Sequence, residues 1–347
     1  MKITREDLRW AADQGHISPG QDTALWAALE ARTAAHPRFD APNVAYYAGA
    51  LLVLGSMGWF MTLAWESLPG IALTLIAATY AAVFVFSGRW VWDRLGLRVP
   101  GGLLFTMAVG MAPLATYGLL KQFGLWPDGS PGVYRGVHIV IHGSWLALEL
   151  ATMLAGAVAL KFRRFPFLTA PIAVAAWYFS MDVARLLLGD GAEYWAGRGW
   201  MSLWFGLATL VFAYWLDLRS RHEDFAFWLY LFGLLSFWGG LSSLDSGSEW
   251  GKFLYALINA GLLVAAVALR RRMFALFGAL GLTGYIGHLA YRIFEDSMLF
   301  PFALSLLGLC LVTAGVIYQR NRAQIERTAR RLVPAPLVAL LPPRARE

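Results

Sequence analysis

The sequence has almost no cysteine and little charge. Its single cysteine, Cys310, excludes an internal disulfide and any cysteine-based metal site within one chain. Only 15% of the 347 residues are charged, against about 25% in an ordinary soluble domain. There is no phosphate-cradling glycine loop, no nucleophile elbow and no HExxH metalloprotease helix. Those absences turn the reading away from the enzyme classes that need them, and no cofactor is indicated. The first 40 or so residues are polar, so no cleavable signal peptide is expected.

What is present is apolar. Hydrophobic residues make up 58% of the chain, with 16 tryptophans and 22 phenylalanines. Apolar runs of about 20 residues recur, the length a helix needs to cross about 30 Å of hydrocarbon. They lack the two-residue alternation of a membrane β-barrel. The fold class is therefore all-α, a polytopic transmembrane bundle of about ten spans. They are expected at 44–64, 68–87, 100–120, 143–160, 165–187, 199–216, 225–243, 252–269, 273–291 and 299–318.

The net charge of +7 raises a nucleic-acid reading, which its distribution rejects. Of the 29 Lys and Arg residues, 23 fall in the termini and in alternate turns, and five fall in the loops between. Arg163 and Arg164 stand in one basic turn, Arg270, Arg271 and Arg272 in another. By the positive-inside rule both termini are cytoplasmic, and the basic turns are positioned to meet anionic lipid heads.

Three stretches look alike: 145–190, 200–245 and 250–296. Each starts at Trp145, Trp200 or Trp250, passes through a basic turn and ends at Asp190, Asp245 or Asp296. They read as successive helical hairpins of one design. The same pattern would also arise from hairpins that merely share a membrane orientation.

Residues 1–41 read as a separate cytoplasmic helical hairpin. Thr4 with Asp7 forms a capping signal, Gly15 a stop, and Ser18-Pro19 with Gln21 a second start. Leu8, Trp10, Ile17, Leu25, Trp26 and Leu29 are expected to pack between the two helices. About 40 residues are too few for an independent core, so the hairpin should rest on the membrane domain (42–319) or on a protein partner. The tail, 320–347, reads as a basic amphipathic helix stopped by Pro334 and Pro336, lying along the cytoplasmic interface or serving as an interaction tail.

The spacing Leu8-x-Trp10, then Gly15-x-Ile17-Ser18, ahead of a long multi-span region resembles a family of bacterial membrane proteins catalogued only as a domain of unknown function. That resemblance implies a bacterial inner-membrane protein and supplies no catalytic residues.

Depth identifies the anomalous charges. Glu149 lies in the apolar run from Gly143 to Phe165, about 18 Å from Lys161 at 1.5 Å per residue. An ionised carboxylate there must be paired, neutralised or wetted. Arg185 is expected to lean toward it, and Tyr178 and Tyr285 lie nearest in depth as partners. Asp182 and Arg185, counted from Arg164, are expected at the outer boundary as an interfacial pair. His288 is expected slightly immersed, at about 24 Å.

His138 and His142 stand one turn apart, a spacing that can hold a divalent metal. Glu149, Glu249 or Glu295 could add a third ligand, and Gly143 could break the stripe. The outer acids, which also include Glu193, read as polar hairpin ends or as a cation site. The leading expectation is an outward-facing polar site that binds or transports a small solute or ion, built on Glu149, Tyr178, Asp182, Arg185, Tyr285 and His288. The alternatives are a scaffold or sensor that binds a cytoplasmic partner through residues 1–41, and a membrane-embedded metalloenzyme using His138 and His142.

Overall fold

The computed structural model describes residues 4–18, 20–33, 41–126, 143–189, 192–219, 223–244 and 247–294, and part of 301–320. His138, His142, Asp190, Asp245, Glu295, Asp296 and the tail beyond residue 320 lie outside the described residues. The described secondary structure is entirely helical: α1 (Arg5–Asp13), α2 (Gln21–Thr33), α3 (Ala41–Ser67), α4 (Gly70–Arg94), α5 (Arg98–Gly110), α6 (Ala112–Gln122), α7 (Gly143–Phe162), α8 (Thr169–Leu188), α9 (Ala192–Arg219), α10 (Phe227–Ser243), α11 (Glu249–Leu269) and α12 (Arg272–Phe294).

Among the described residues six helices are long and apolar enough to cross a membrane: 70–94, 98–122, 144–162, 166–188, 197–219 and 249–269. Val44–Phe60 and Phe227–Ser243 are apolar but shorter. Outward-facing side chains on these helices are large and apolar, among them Trp59, Phe86, Leu154, Leu187 and Val264. Surface of that kind exceeds what a water-soluble monomer exposes. By length, apolarity and outer surface, this is a helical integral membrane protein.

The run expected as one span over 100–120 is two helices, α5 and α6, broken at Met111. Pro113 explains the break. Its nitrogen carries no hydrogen, so the i→i−4 ladder loses a bond there. The Met111 N–H turns back instead to the carbonyls of Ala108 and Val109. This interrupted span is buried more than any other candidate span and packs on α3, α4 and α7.

α9 and α10 approach backbone to backbone. A Cβ on Gly206 would overlap the backbone of Phe237, so only glycine fits there. α11 and α12 meet through a polar contact: the buried Asn259 side chain lies against Gly281, where a Cβ would collide with it.

One ion-pair design occurs twice. Asp93, near the end of α4, accepts both guanidinium nitrogens of Arg163, at 2.8 and 2.6 Å. The guanidinium lies over Trp92 and over Phe105 of α5. Asp217, near the end of α9, accepts from Arg271 at 2.7 Å, and Asp224 accepts from the same guanidinium at 2.5 Å. That guanidinium lies over Tyr230 of α10. In both cases one helix ends in an aspartate, the next supplies a ring, and the arginine comes from the turn of a later hairpin, α7–α8 in the first case and α11–α12 in the second. The repeats expected at 145–190, 200–245 and 250–296 each hold one helix pair in contact (α7 with α8, α9 with α10, α11 with α12). The ion pairs group helix pairs in twos, α4 to α8 and α9 to α12. They also gather the basic turns at one end of the bundle, where Phe167 meets Tyr47 of α3 and Trp228 of α10.

The N-terminal helices pack chiefly on each other. Thr4 and Asp7 form the expected capping box. The second helix begins at Gln21, after Gly20 with φ +86, and Pro19 lies outside the described residues. The Gln21 carboxamide oxygen accepts from the Ser18 N–H at 3.1 Å. Leu8, Ile17, Trp26 and Leu29 are half-buried, but Trp10 is 58% and Leu25 41% exposed. α1 buries no residue, so the core expected between the two helices is incomplete.

Candidate functional site

α7 runs unbroken from Gly143 to Phe162 and carries Glu149 about 20 Å from its basic end. The Glu149 side chain is buried, 8% exposed. Its neighbour on α8 is Asp182, 1% exposed, close enough for the two carboxyls to interact.

Counting from Arg164 puts Asp182 at the outer boundary; the structure shows it buried, 1% exposed, on α8, which starts at Thr169 after a 3-10 turn over Pro166–Leu168.

The break between α5 and α6 lies near Gly156, two turns of α7 from Glu149 toward the basic end. α7 packs on both halves of that broken span. The Gly156 backbone of α7 approaches Val109, just before the break. One turn from Glu149, Thr152 is buried, its hydroxyl donating to the Leu148 carbonyl at 2.7 Å. A buried carboxyl pair therefore sits on two intact helices beside one interrupted helix.

A hydrogen bond between two carboxyls requires a proton on one of them, because a carboxylate oxygen only accepts. Two carboxylates in contact away from water cannot both be charged without a counter-ion. The arrangement can therefore hold one proton between two oxygens, or release it when the pair separates.

Tyr178 and Arg185 are half-buried on α8, one turn to either side of Asp182. Tyr285 and His288 stand elsewhere: α12 packs on α11 and α10 rather than on α7 or α8. His288 belongs with Glu249, which accepts from Lys252 at 2.9 Å and from Arg292 at 3.2 Å. The His288 Nε2 is buried with no hydrogen-bond partner among the described residues. The six residues expected in one site thus fall into two groups, four on α7 and α8 and two on α12. Among the described residues no three His, Cys, Asp or Glu side chains come close enough to hold a metal.

Sequence reasoning missed the Arg271 cluster. Asp217 is 2% and Arg271 8% exposed, and the Tyr230 hydroxyl lies 3.5 Å from Asp217. Read as loop charges, the arginines of "RRRMF" indicate only orientation. The usable signal was Asp217 itself, an acid inside the apolar stretch "AYWLDLR", matched by Asp93 in "WVWDR".

No protein-family model matches the chain, and no curated protein matches it at a significant level.

Proposed function

We propose that this membrane protein binds or carries a small solute or ion through a polar site centred on Glu149 and Asp182. The observation that carries the reading is the pair of buried acids on two intact helices packed beside a broken span. Interrupted helices near mid-membrane are where transporters free backbone groups for their cargo. Intramembrane acids are costly, and a protein keeps them where they act.

A comparison within the chain adds support. The α11–α12 hairpin resembles α7–α8 in layout, yet at the positions matching Glu149 and Asp182 it has Ala256 and Tyr285. A hairpin of this design packs without acids, so packing alone does not call for Glu149 and Asp182. The positive turns support cytoplasmic termini, and the N-terminal motif's likeness to bacterial membrane proteins supports the inner membrane of a bacterium.

The test is the melting temperature of detergent-purified Glu149→Gln. The amide keeps the shape and can donate to Asp182. A melting point at or above wild type fits a functional acid. A drop of several degrees makes the carboxyl structural.

A second reading rests on the exposed Trp10 and Leu25. In it, the N-terminal hairpin captures a cytoplasmic protein and the membrane part is its anchor. Co-purification of a partner with the full chain, lost on Trp10→Ala and Leu25→Ala, would favour it.

A further inference from the structure

We infer that the basic end of the bundle holds a site for the headgroup of an anionic phospholipid. It is formed by Arg219, Arg270 and Arg272, where the end of α9 meets the turn between α11 and α12. The site lies away from Glu149 and Asp182 and does not depend on their role.

The buried ion pair assembles this corner. Arg271 reaches from the turn to Asp217 of α9 at 2.7 Å and to Asp224 at 2.5 Å. Both aspartates are thereby engaged, and Glu223 is the other acid beside them. The neighbours of this contact face outward. Arg219, two residues after Asp217, is exposed, and so are Arg270 and Arg272 on either side of Arg271. The contact that buries one positive charge brings three others to the surface together. Among the described residues none of the three pairs with a carboxylate.

Their level is that of lipid phosphates. Arg219 closes the candidate span 197–219, and Arg270 directly follows the span 249–269. Both stand where hydrocarbon gives way to headgroups.

Each arginine is also placed in a way that orientation alone does not require. The Arg219 guanidinium lies 3.9 Å over the Trp215 ring, and Phe212 stacks on that ring at 5.7 Å. A guanidinium held flat on a ring keeps its in-plane N–H groups free to grip a phosphate. Arg270 has φ 53 and ψ 38, the left-handed conformation that usually ends a helix with glycine. Among the described residues it is the one non-glycine at positive φ. Arg272 opens α12, whose first turn holds no acid, so its charge adds to the positive end of that helix's dipole. A cation is disfavoured there and an anion is drawn in.

The outer face of α9 identifies the occupant. Below the Arg219 guanidinium it presents Trp215, Phe212 and Val211, all exposed. An acyl chain covers that surface, and a free anion does not. A net negative headgroup matches three arginines better than a zwitterion, which brings its own cation.

The experiment is thermal melting of the full chain in a neutral detergent, titrated with phosphatidylglycerol, phosphatidylcholine or inorganic phosphate. Phosphatidylglycerol should raise the wild-type melting temperature by several degrees and saturate. The other two, at equal concentration, should not. Arg219→Gln and Arg270→Gly should each need about tenfold more phosphatidylglycerol for half the shift, the loss expected for one hydrogen bond to a charged group. Arg270→Gly is the sharper arm. Glycine suits φ 53, so without lipid this variant should melt at or above wild type, and its weakened response is not a folding defect. Lys252→Gln, at the opposite end, should respond as wild type does. The inference is overturned if phosphatidylcholine stabilises as well as phosphatidylglycerol, or if the two arginine variants respond like wild type. It is equally overturned if Lys252→Gln loses the response as they do, which makes it a general charge effect. Inorganic phosphate reproducing the shift also overturns it, leaving a site for a free anion.

Discussion

Arg271 and Asp217, 54 residues apart in the chain, meet at 2.7 Å in the interior of the bundle. The contact ties the turn before α12 to the end of α9. Asp224 accepts from the other guanidinium nitrogen, and the Tyr230 ring lies beneath it. Removing one member of a buried pair strands the other without water, at a cost of about 3–5 kcal/mol. Arg271→Gln should therefore lower the melting temperature by many degrees. Replacing the pair together, Arg271→Met with Asp217→Leu, should recover much of that loss, because no buried charge is then stranded on Asp217. Thermal melts of the three proteins in one detergent check both expectations.

The helical, membrane-spanning character was legible because burial in lipid demands long apolar runs, and α4, α7, α8, α9 and α11 stand where those runs predicted. Glu149 was legible for the same reason, as a charge where none is cheap. Its partner was not. Depth counting reads Asp182 as an interfacial acid, whereas its burial comes from how α8 packs on α7, α9 and α10, which no hydropathy window sees. The break at Met111 follows from Pro113, a signal present in the sequence but hidden inside an otherwise continuous apolar stretch. The Arg271 cluster depends on contacts between α9, α10 and the turn before α12, which sequence periodicity does not report.

The matching pair in the first half should behave differently. Arg163 is 27% and Asp93 49% exposed at the side chain, so water competes for both. Exposed pairs are worth about 1 kcal/mol or less. Arg163→Gln should cost far less stability than Arg271→Gln although the two ion pairs share a design. Raising salt should weaken the Arg163 contribution and leave that of Arg271 nearly unchanged. Melts of both variants at low and high ionic strength make the comparison. Equal losses would mean that the shared design, not burial, sets the energy.

The N-terminal helix carries its own pH dependence. Asp7 accepts from the Thr4 N–H at 2.7 Å and from the Thr4 hydroxyl at 2.8 Å. These bonds, the backbone one first, hold its carboxyl below the ordinary carboxylate range. A carboxyl whose folded pKa is depressed contributes stability above its unfolded pKa, about 3.9. That contribution fades as pH falls through the lower folded value. Amide exchange of residues 5–13 in the full-length protein, corrected for its intrinsic pH dependence, should show the helix fraying as pH drops below about 4. Asp7→Asn should fray it at neutral pH and flatten the profile. An unchanged profile would show that the cap does not hold the helix.

Two glycines on the packed pair α9 and α10 should respond oppositely to the same substitution. At Gly206 a methyl would run into the backbone of Phe237, which cannot rotate away as a side chain would. Gly206→Ala should force α9 and α10 apart and destabilise by about 1–3 kcal/mol, the usual cost of overpacking. At Gly239 on α10 nothing lies within 4 Å of an added Cβ. There the helix simply gains a better helix former, worth up to about 1 kcal/mol. Gly239→Ala should therefore melt at or above wild type while Gly206→Ala melts well below it. Both residues are interior helical glycines of one hairpin, so propensity would raise both. Only the closeness of the two backbones at Gly206 can reverse the sign, and a loss at Gly206 with none at Gly239 measures that closeness directly.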